Sequence, residues 1–500
     1  MEVGPSSPLY PARYLDAATD ATKATELDAT YAKAWSRLAS ARAGLNSPIL
    51  AAEAWKRAVA TLPVENLTAT DVKQRDQYRQ ELAKAEAKLS DLKANPRKAD
   101  GLLPLTSQDQ TPWKRAAACI PDLTARQVRN SSAWIINAAY IQWQRALELL
   151  NGGQEVYTSQ GPGFVGKLGA IEQLTNALLT DHRVFHITDT RFFEMYNKQM
   201  LAESETRRAW LGSGCRGIIE EVPRRLEHEG WDSVRPALSI TVRGWIMRAF
   251  MEDKIKNSVK FALELYTSAL ELLEWGVNTF ADVDPEQRGA VFEPTFIRSI
   301  KSLRLDSLMR VYLENPGPSS KHLLEEMLAG ADELLEGIGA MPDAPTLQDV
   351  WFILAFYSYP AGQAHAIRGF CYQHIGTLLQ DAEGLTQEVR DLYKKGSSEY
   401  AETQKYYPPD DQYSIWYVHR AFRLLCDASA PLGQLLPHLH RIRDTMPVEG
   451  NIWEFVVDAN HCKELQEDLD LLPGLEAALQ NGLLKEDTVL GPGGFMDDNI

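Results

Sequence analysis

The chain has few cysteines and no long apolar segment. Its five cysteines lie far apart and show no Cys-x-x-Cys spacing, which is typical of reduced thiols in the cytoplasm or nucleus. The most apolar stretch, residues 350–359, is predicted to be stopped by Pro360, well short of the roughly 20 residues that a membrane span needs. No basic segment followed by an apolar one opens the sequence. We therefore expect a cytoplasmic protein, with a nuclear location as the second option, and no membrane association.

Positive charge is also scarce. The sequence holds 52 Lys and Arg against 68 Asp and Glu, for a formal net charge of -16. Such a charge repels phosphate backbones and anionic lipids, so we expect no nucleic-acid partner. Hydrophobic residues make up 44% of the chain and charged residues 24%, the balance of a folded protein. A length of 500 residues indicates two or more folded units.

The sequence offers little catalytic chemistry. Its ten histidines form no metal-ligand pattern, and no nucleophile has an identifiable base, so we expect neither an enzyme nor a metal or cofactor. One motif, Gly161 to Lys167, approaches the phosphate-binding loop G-x-x-x-x-G-K-[ST]. Leu168 replaces its hydroxyl residue, and the polar residues 152–160 offer no buried strand before it. We interpret the motif as a glycine-rich turn between helices, with a nucleotide-binding enzyme as the alternative.

A repeat is present near the N-terminus. Three small residues recur 34 residues later, as the pairs Ala17 and Ala51, Ala24 and Ala58, and Ala29 and Pro63. The second copy carries a fuller pattern: Trp35, Leu38, Ala39, Ala51, Trp55, Ala58 and Pro63. Bulky residues three apart would pack one helix face, alanines would allow a close approach of two helices, and the proline would end the second helix.

This period and pattern resemble the tetratricopeptide repeat. The charged segment 71–92 has a helical apolar stripe and is similar to the helix that closes such arrays. We therefore predict a partial repeat array with a closing helix over residues 1–95, with three helices in residues 17–92. Residues 96–112 are predicted to be a linker.

The larger part, residues 113–484, is predicted to be a degenerate α-solenoid of the same kind. Long amphipathic segments support helices at 132–150, 243–275, 295–313, 320–335 and 414–425. Half of the repeat pattern returns twice, in Ala262, Tyr266 and Ala269 and in Gly396, Tyr400, Thr403 and Pro408. A non-repetitive helical bundle is the alternative. Residues 485–500 are predicted to be a flexible tail, and the expected fold class is all-α.

Two cations of the repeat suggest a binding site. Lys33 and Arg37 are four apart, on a face that Trp35 and Leu38 do not use. The pair resembles the basic pair of carboxylate-clamp co-chaperones, which implies binding of the acidic C-terminal tails of heat-shock chaperones. Such clamps also need polar residues from two earlier repeats, whereas Val3 stands one period before Arg37. Either the chain is truncated relative to a complete clamp domain or the pair is vestigial, and solvated surface charge is the competing interpretation.

The expected function is thus protein–protein interaction, as an adaptor or co-chaperone-like scaffold that binds a protein or an acidic peptide.

Overall fold

A computed structural model of the chain describes residues 13–45, 47–63, 68–94, 111–158, 161–453 and 459–489. Within these ranges nearly all regular structure is helical, which confirms the all-α class, and the strands form one two-stranded antiparallel hairpin. None of the described helices combines the length and apolar character that a membrane crossing requires.

The first helices are α1 (Tyr14–Leu27), α2 (Ala32–Gly44), α3 (Pro48–Ala60), α4 (Ala69–Ala94), α5 (Pro112–Ala125) and α6 (Ala133–Asn151), followed by β1 (Gln154–Thr158) and β2 (Gly161–Val165). Next come α7 (Ala170–Asp181), α8 (Phe192–Arg207), α9 (Cys215–Glu229), α10 (Trp231–Lys254), α11 (Val259–Thr279), α12 (Pro285–Arg288) and α13 (Pro294–Glu314). The remaining helices are α14 (Lys321–Ile338), α15 (Val350–Ile353), α16 (Tyr359–Glu383), α17 (Gln387–Glu402), α18 (Gln412–Asp427), α19 (Leu432–Trp453) and α20 (Ala459–Gln480).

The chain divides into two compact units. Unit 1 comprises residues 1–103, 149–172 and 188–293, and unit 2 comprises residues 104–148, 173–187 and 294–500. Most of the predicted linker 96–112 lies outside the described residues, and its last residue, Pro112, begins α5. The predicted tail 485–500 is described only to residue 489. Its described part pairs with the start of α19, where Leu432 and Gly433 donate backbone hydrogen bonds to the carbonyls of Thr488 and Glu486.

The N-terminal segment of unit 1 holds four successive helices, α1 to α4, so the prediction of three was wrong. Each of these helices packs against the next. The additional boundary is the turn between α1 and α2, where the Asp28 carboxylate accepts hydrogen bonds from the backbone N–H and hydroxyl of Thr30. An aspartate that bonds two residues ahead favours a turn over a continuous helix.

Helix α1 also anchors this segment to the rest of unit 1. The Asp16 carboxylate accepts the N–H of Arg216, and the Thr19 hydroxyl accepts the N–H of Gly214, at 3.1 and 2.6 Å. Both N–H groups belong to the beginning of α9, so side chains of α1 satisfy donors that a helix start leaves open.

Four of the five predicted long helices are confirmed to within three residues at each end, as α6, α13, α14 and α18. The fifth, predicted over 243–275, is wrong because α10 and α11 are separate. Asn257 has a positive φ of 50° between them, and the Ser258 N–H donates back to the Glu252 carbonyl. Asparagine tolerates the left-handed conformation better than most residues, which permits this break inside an apolar pattern.

Pro360 in unit 2 does not stop the apolar stretch before it, contrary to our expectation. The chain continues as one helical rod from α15 through a π-helical turn, Leu354–Ser358, into α16. A proline inside a helix removes one backbone donor and crowds the preceding turn. The π-turn widens the backbone there, and the buried Arg298 donates to the Phe356 carbonyl four residues before Pro360.

Unit 2 packs as a succession of helices. In chain order α13, α14, α16, α17, α18, α19 and α20 each pack against the next, and α13 also packs against α16. Positions of the predicted half-repeat lie at such contacts. A Cβ on Gly396 would come within 3.1 Å of the Gly369 carbonyl of α16, and Tyr400 is buried. Close packing thus accounts for the glycine and the tyrosine, and the solenoid architecture itself remains a prediction.

The contact of α1 with α11 generates a pH prediction. The Glu264 carboxylate accepts a hydrogen bond from the Leu15 N–H at 2.7 Å. Burial, with a smaller contribution from the Asp16 charge, raises the pKa of Glu264 to about 7. The Leu15 hydrogen bond and the Arg13 charge lower this pKa but do not outweigh the burial. Because the pKa of Glu264 is higher in the folded chain than its ordinary value of 4.5, the stability that this group contributes is fully present below pH 4.5. This stability is lost as the pH rises through 7.

We expect Glu264→Gln to reduce the fall in unfolding free energy between pH 5 and 8 by on the order of 3 kcal/mol. Denaturant titrations at several pH values measure this difference. Burial also raises the pKa of Glu449 to about 7, so the wild type must be compared with the variant at each pH. Parallel pH profiles for the two proteins would contradict the account.

Candidate functional site

Lys33 and Arg37 lie together on the outer face of α2. The helix buries Ala34, Leu38 and Ala41 on its other side, and both cations are exposed. Within the described part of the chain, neither side chain has an ion pair or hydrogen bond. Lys33 and Arg37 thus share one exposed helix face, and their role as a binding pair stays a prediction.

The start of α2 adds positive potential beside this pair. Tyr31, the residue before the helix, makes no capping hydrogen bond through its side chain, and the first turn contains no acidic residue. A helix N-terminus carries a partial positive charge of about half an elementary charge. Lys33, in this first turn, and Arg37, one turn later, thus reinforce one another and favour an anion.

The predicted repeat core is mostly buried around α2 and α3. Five of its seven positions are buried: Leu38, Ala39, Ala51, Trp55 and Ala58. The Trp55 ring lies 5.5 Å from the Tyr78 ring of α4. The other two positions differ: Trp35 is half-buried and donates its indole N–H to the Ala29 carbonyl, whereas Pro63 is exposed after the end of α3.

The groove of a complete carboxylate clamp cannot be traced here. Val3, one repeat period before Arg37, lies outside the described residues. Ala17, one period before Ala51, is exposed, whereas Ala51 is fully buried. The face of α1 that carries Asp16 and Thr19 instead contacts α9, so α1 does not repeat the packing of α3 in detail.

The Gly161–Lys167 motif is not a turn between helices, as we had interpreted it. Gly161 begins strand β2, which pairs with β1 from Gln154 opposite Val165 to Thr158 opposite Gly161. Strand β1 is largely exposed, with Tyr157 91% exposed, whereas β2 is mostly half-buried. A strand that ends at Gly161 would favour the nucleotide-binding loop, and a helix–loop–helix would favour the turn. The structure has neither, because β1 ends at Thr158 and Gly161 begins β2.

The helix that follows this hairpin has no vacant anion site at its start. The buried Glu203 carboxylate accepts the N–H groups of Gly169 and Ile171 at the beginning of α7, both at 3.1 Å, and the Gln199 amide at 2.8 Å. A phosphate loop presents such N–H groups to its nucleotide. Glu203 occupies that position, and Lys167 packs beside Gly152, which argues against nucleotide binding by this loop.

A buried charge cluster in unit 2 was not found from the sequence. Arg183 forms ion pairs with Asp181 at 2.6 Å and Asp411 at 2.9 Å, and its guanidinium lies 4.1 Å from the centre of the Trp453 ring. Burial acts to lower the pKa of Arg183, but the two aspartates outweigh it and raise the pKa well above its ordinary value. Tyr359 also donates to Asp411, so the cluster is satisfied internally.

Because residues 181–183 and 411 are far apart in the chain, no local pattern could have indicated this cluster. It joins the end of α7 to the start of α18 within unit 2, where the Asp411 side chain also accepts the Tyr413 N–H as the N-cap. In the described chain, no group of three or more His, Cys, Asp or Glu side chains is arranged so that it could hold a metal ion.

No model of a protein family matches the chain, and no curated protein matches it. The fold alone therefore defines the class, an all-α protein with one small β-hairpin in its described part.

The contact of Glu203 with α7 generates a stability prediction. Glu203→Ala removes a buried acceptor from two backbone donors and one amide, so we expect a loss of about 1–3 kcal/mol in unfolding free energy. Glu205→Ala, two residues later on the same helix but exposed, is the matched control and should change stability by less than about 0.5 kcal/mol. Urea denaturation measures both. Equal effects would show that Glu203 does not cap α7.

Proposed function

We propose that the chain is a protein-interaction scaffold in which Lys33 and Arg37 of α2 bind the acidic C-terminus of a partner protein. The observation that supports this proposal is that both cations are exposed and have no partner within the described residues. The two positive charges stand one helical turn apart on the same face of α2. A ligand would supply the missing anions.

The chemistry of the pair fits a terminal carboxylate next to an acidic side chain. Arginine presents a planar fork that can donate two parallel hydrogen bonds to one carboxylate, and lysine offers a compact point charge to the second. Positions four apart on a helix lie about 5–6 Å from one another, close enough to contact neighbouring carboxylates of one peptide end.

The finer assignment is a tetratricopeptide-type adaptor or co-chaperone-like protein in the cytoplasm, whose partner is a heat-shock chaperone tail. Its support is the resemblance of residues 14–92 to the last repeat and closing helix of carboxylate-clamp domains, together with the burial of Leu38, Ala51, Trp55 and Ala58. The larger unit then serves as a helical scaffold.

We expect a fluorescent peptide ending Glu-Glu-Val-Asp to bind the full chain with a dissociation constant no tighter than tens of micromolar, because the pair offers two charged donors, each of which contributes roughly 1.5–3 kcal/mol. Fluorescence polarisation at low and high salt measures it. Binding should weaken as salt is raised, since the contact is between exposed charges.

The double variant Lys33→Glu, Arg37→Glu should lose this binding. Its matched control, Lys56→Glu, Arg57→Glu, changes the net charge equally at exposed positions of α3 and should bind almost as the wild type does. A peptide amidated at its C-terminus should bind more weakly than the free acid. Equal binding by both double variants, or none by the wild type, would contradict the proposal.

A further inference from the structure

A cavity of about 430 Å³ in unit 1 is lined by three arginines. Arg235 and Arg243 project from α10 and Arg207 from the end of α8. The other lining residues are Leu168, Gly169, Glu172, Glu203, Pro236, Ser239, Ile240 and residues 289–291. We propose that this cavity binds a small molecule through a phosphate group. This site is separate from the Lys33–Arg37 pair and does not rest on the proposed function.

The cavity has a regular polar wall on α10. Arg235, Ser239 and Arg243 are spaced by four residues, so they follow one face of the helix into the cavity. Arg243 is buried, Arg235 is half-buried and Arg207 is exposed. The arginines thus extend from the inside of the cavity to its mouth, and a ligand that enters would meet positive charge along its path.

The innermost arginine is held in place. Its Nε donates to the Ser239 hydroxyl at 3.2 Å and its Nη1 to the Glu172 carbonyl at 3.3 Å, while the Glu172 carboxylate lies 3.8 Å from Nη2. Burial lowers the pKa of Arg243 to about 10. A dianion bound beside this guanidinium would stabilise its charged form.

The carboxylates of the cavity do not cancel its positive charge. Glu203 directs both oxygens to the start of α7 and to Gln199, as described above, and the positive end of α7 partly compensates its charge. Glu172, the other carboxylate among the lining residues, is half-exposed, with 53% of its side chain accessible to solvent. Arg207 and Arg235 have no carboxylate partner within the described residues.

The backbone at Gly289 positions Arg235 at the cavity. Gly289 has a positive φ of 104°, and a Cβ there would lie 2.8 Å from Cγ of Arg235. Glycine therefore allows the arginine stem to pass against the backbone. The Arg235 guanidinium donates one hydrogen bond, to the Glu286 carbonyl at 3.0 Å, and its other N–H groups remain available to a ligand.

These features favour phosphate over a single carboxylate. A phosphate monoester carries close to two negative charges near neutral pH and three acceptor oxygens, which match two arginines without carboxylate partners and the Ser239 hydroxyl. The volume lies within the usual range of roughly 300–1,000 Å³ for small-molecule sites. Lys167 does not line the cavity, so this site is distinct from the glycine-rich motif.

Isothermal titration calorimetry of the full chain with inorganic phosphate and with glycerol 3-phosphate tests the proposal. We expect saturable binding of both, and none of glycerol. The double variant Arg207→Gln, Arg235→Gln should weaken binding by about tenfold or more for each arginine. Arg224→Gln, which removes an exposed charge of α9 outside the cavity, should bind as the wild type does.

Because Arg207 is exposed, Arg207→Gln should fold normally, and it alone should weaken phosphate binding about tenfold if the double variant fails to fold. Phosphate should also raise the thermal midpoint of the wild type more than that of this variant. The absence of saturable binding, tighter binding of succinate than of either phosphate, or equal weakening by Arg224→Gln would overturn the assignment.

Discussion

The cost of burying charge is the constraint on which both units depend. A charged group taken out of water must be paired and hydrogen-bonded, or it destabilises the fold by several kcal/mol. In unit 2, Arg183 meets this requirement through Asp181 and Asp411, and Arg298 through the carbonyls of Phe356 and Gly337. These contacts fix the start of α18 and allow one helix to continue through Pro360.

The same constraint distinguishes the candidate sites from the internal clusters. Lys33 and Arg37 are exposed and have no partner in the described chain, while Arg207 and Arg235 line a cavity without a carboxylate of their own. In both proposals, a ligand supplies the anion that these cations lack in the described chain. The first pair, on an exposed helix face, suits a peptide end, and the second, at a cavity, suits a small molecule.

Periodicity predicted much of the helical structure, because burial of one helix face imposes a spacing that is visible in sequence. It predicted α6, α13, α14 and α18 well, yet it joined α10 to α11 because the apolar pattern continues across Asn257. Proline was a poor guide: Pro360 lies in a continuous helix because Arg298, distant in sequence, bonds to the Phe356 carbonyl. Local sequence patterns cannot predict such contacts between residues that are distant in sequence.

The candidate sites also differ in whether local spacing or contacts between distant residues define them. Lys33 and Arg37 could be found because one helical turn separates them, and the spacing of Arg235, Ser239 and Arg243 carries a similar signal that we did not use. The role of Glu203 could not be predicted, since its partners Gly169 and Ile171 are more than thirty residues away. Sequence spacing reveals sites on one helix, whereas sites built from several elements require the fold.

Hydrogen–deuterium exchange of the full chain, with and without a peptide that ends in two acidic residues, tests the central claim most directly. The account predicts slower amide exchange in the first turns of α2, around Lys33 and Arg37, and unchanged exchange in the segments that line the arginine cavity. Unchanged exchange in α2 at saturating peptide, or slowing confined to other helices, would contradict it.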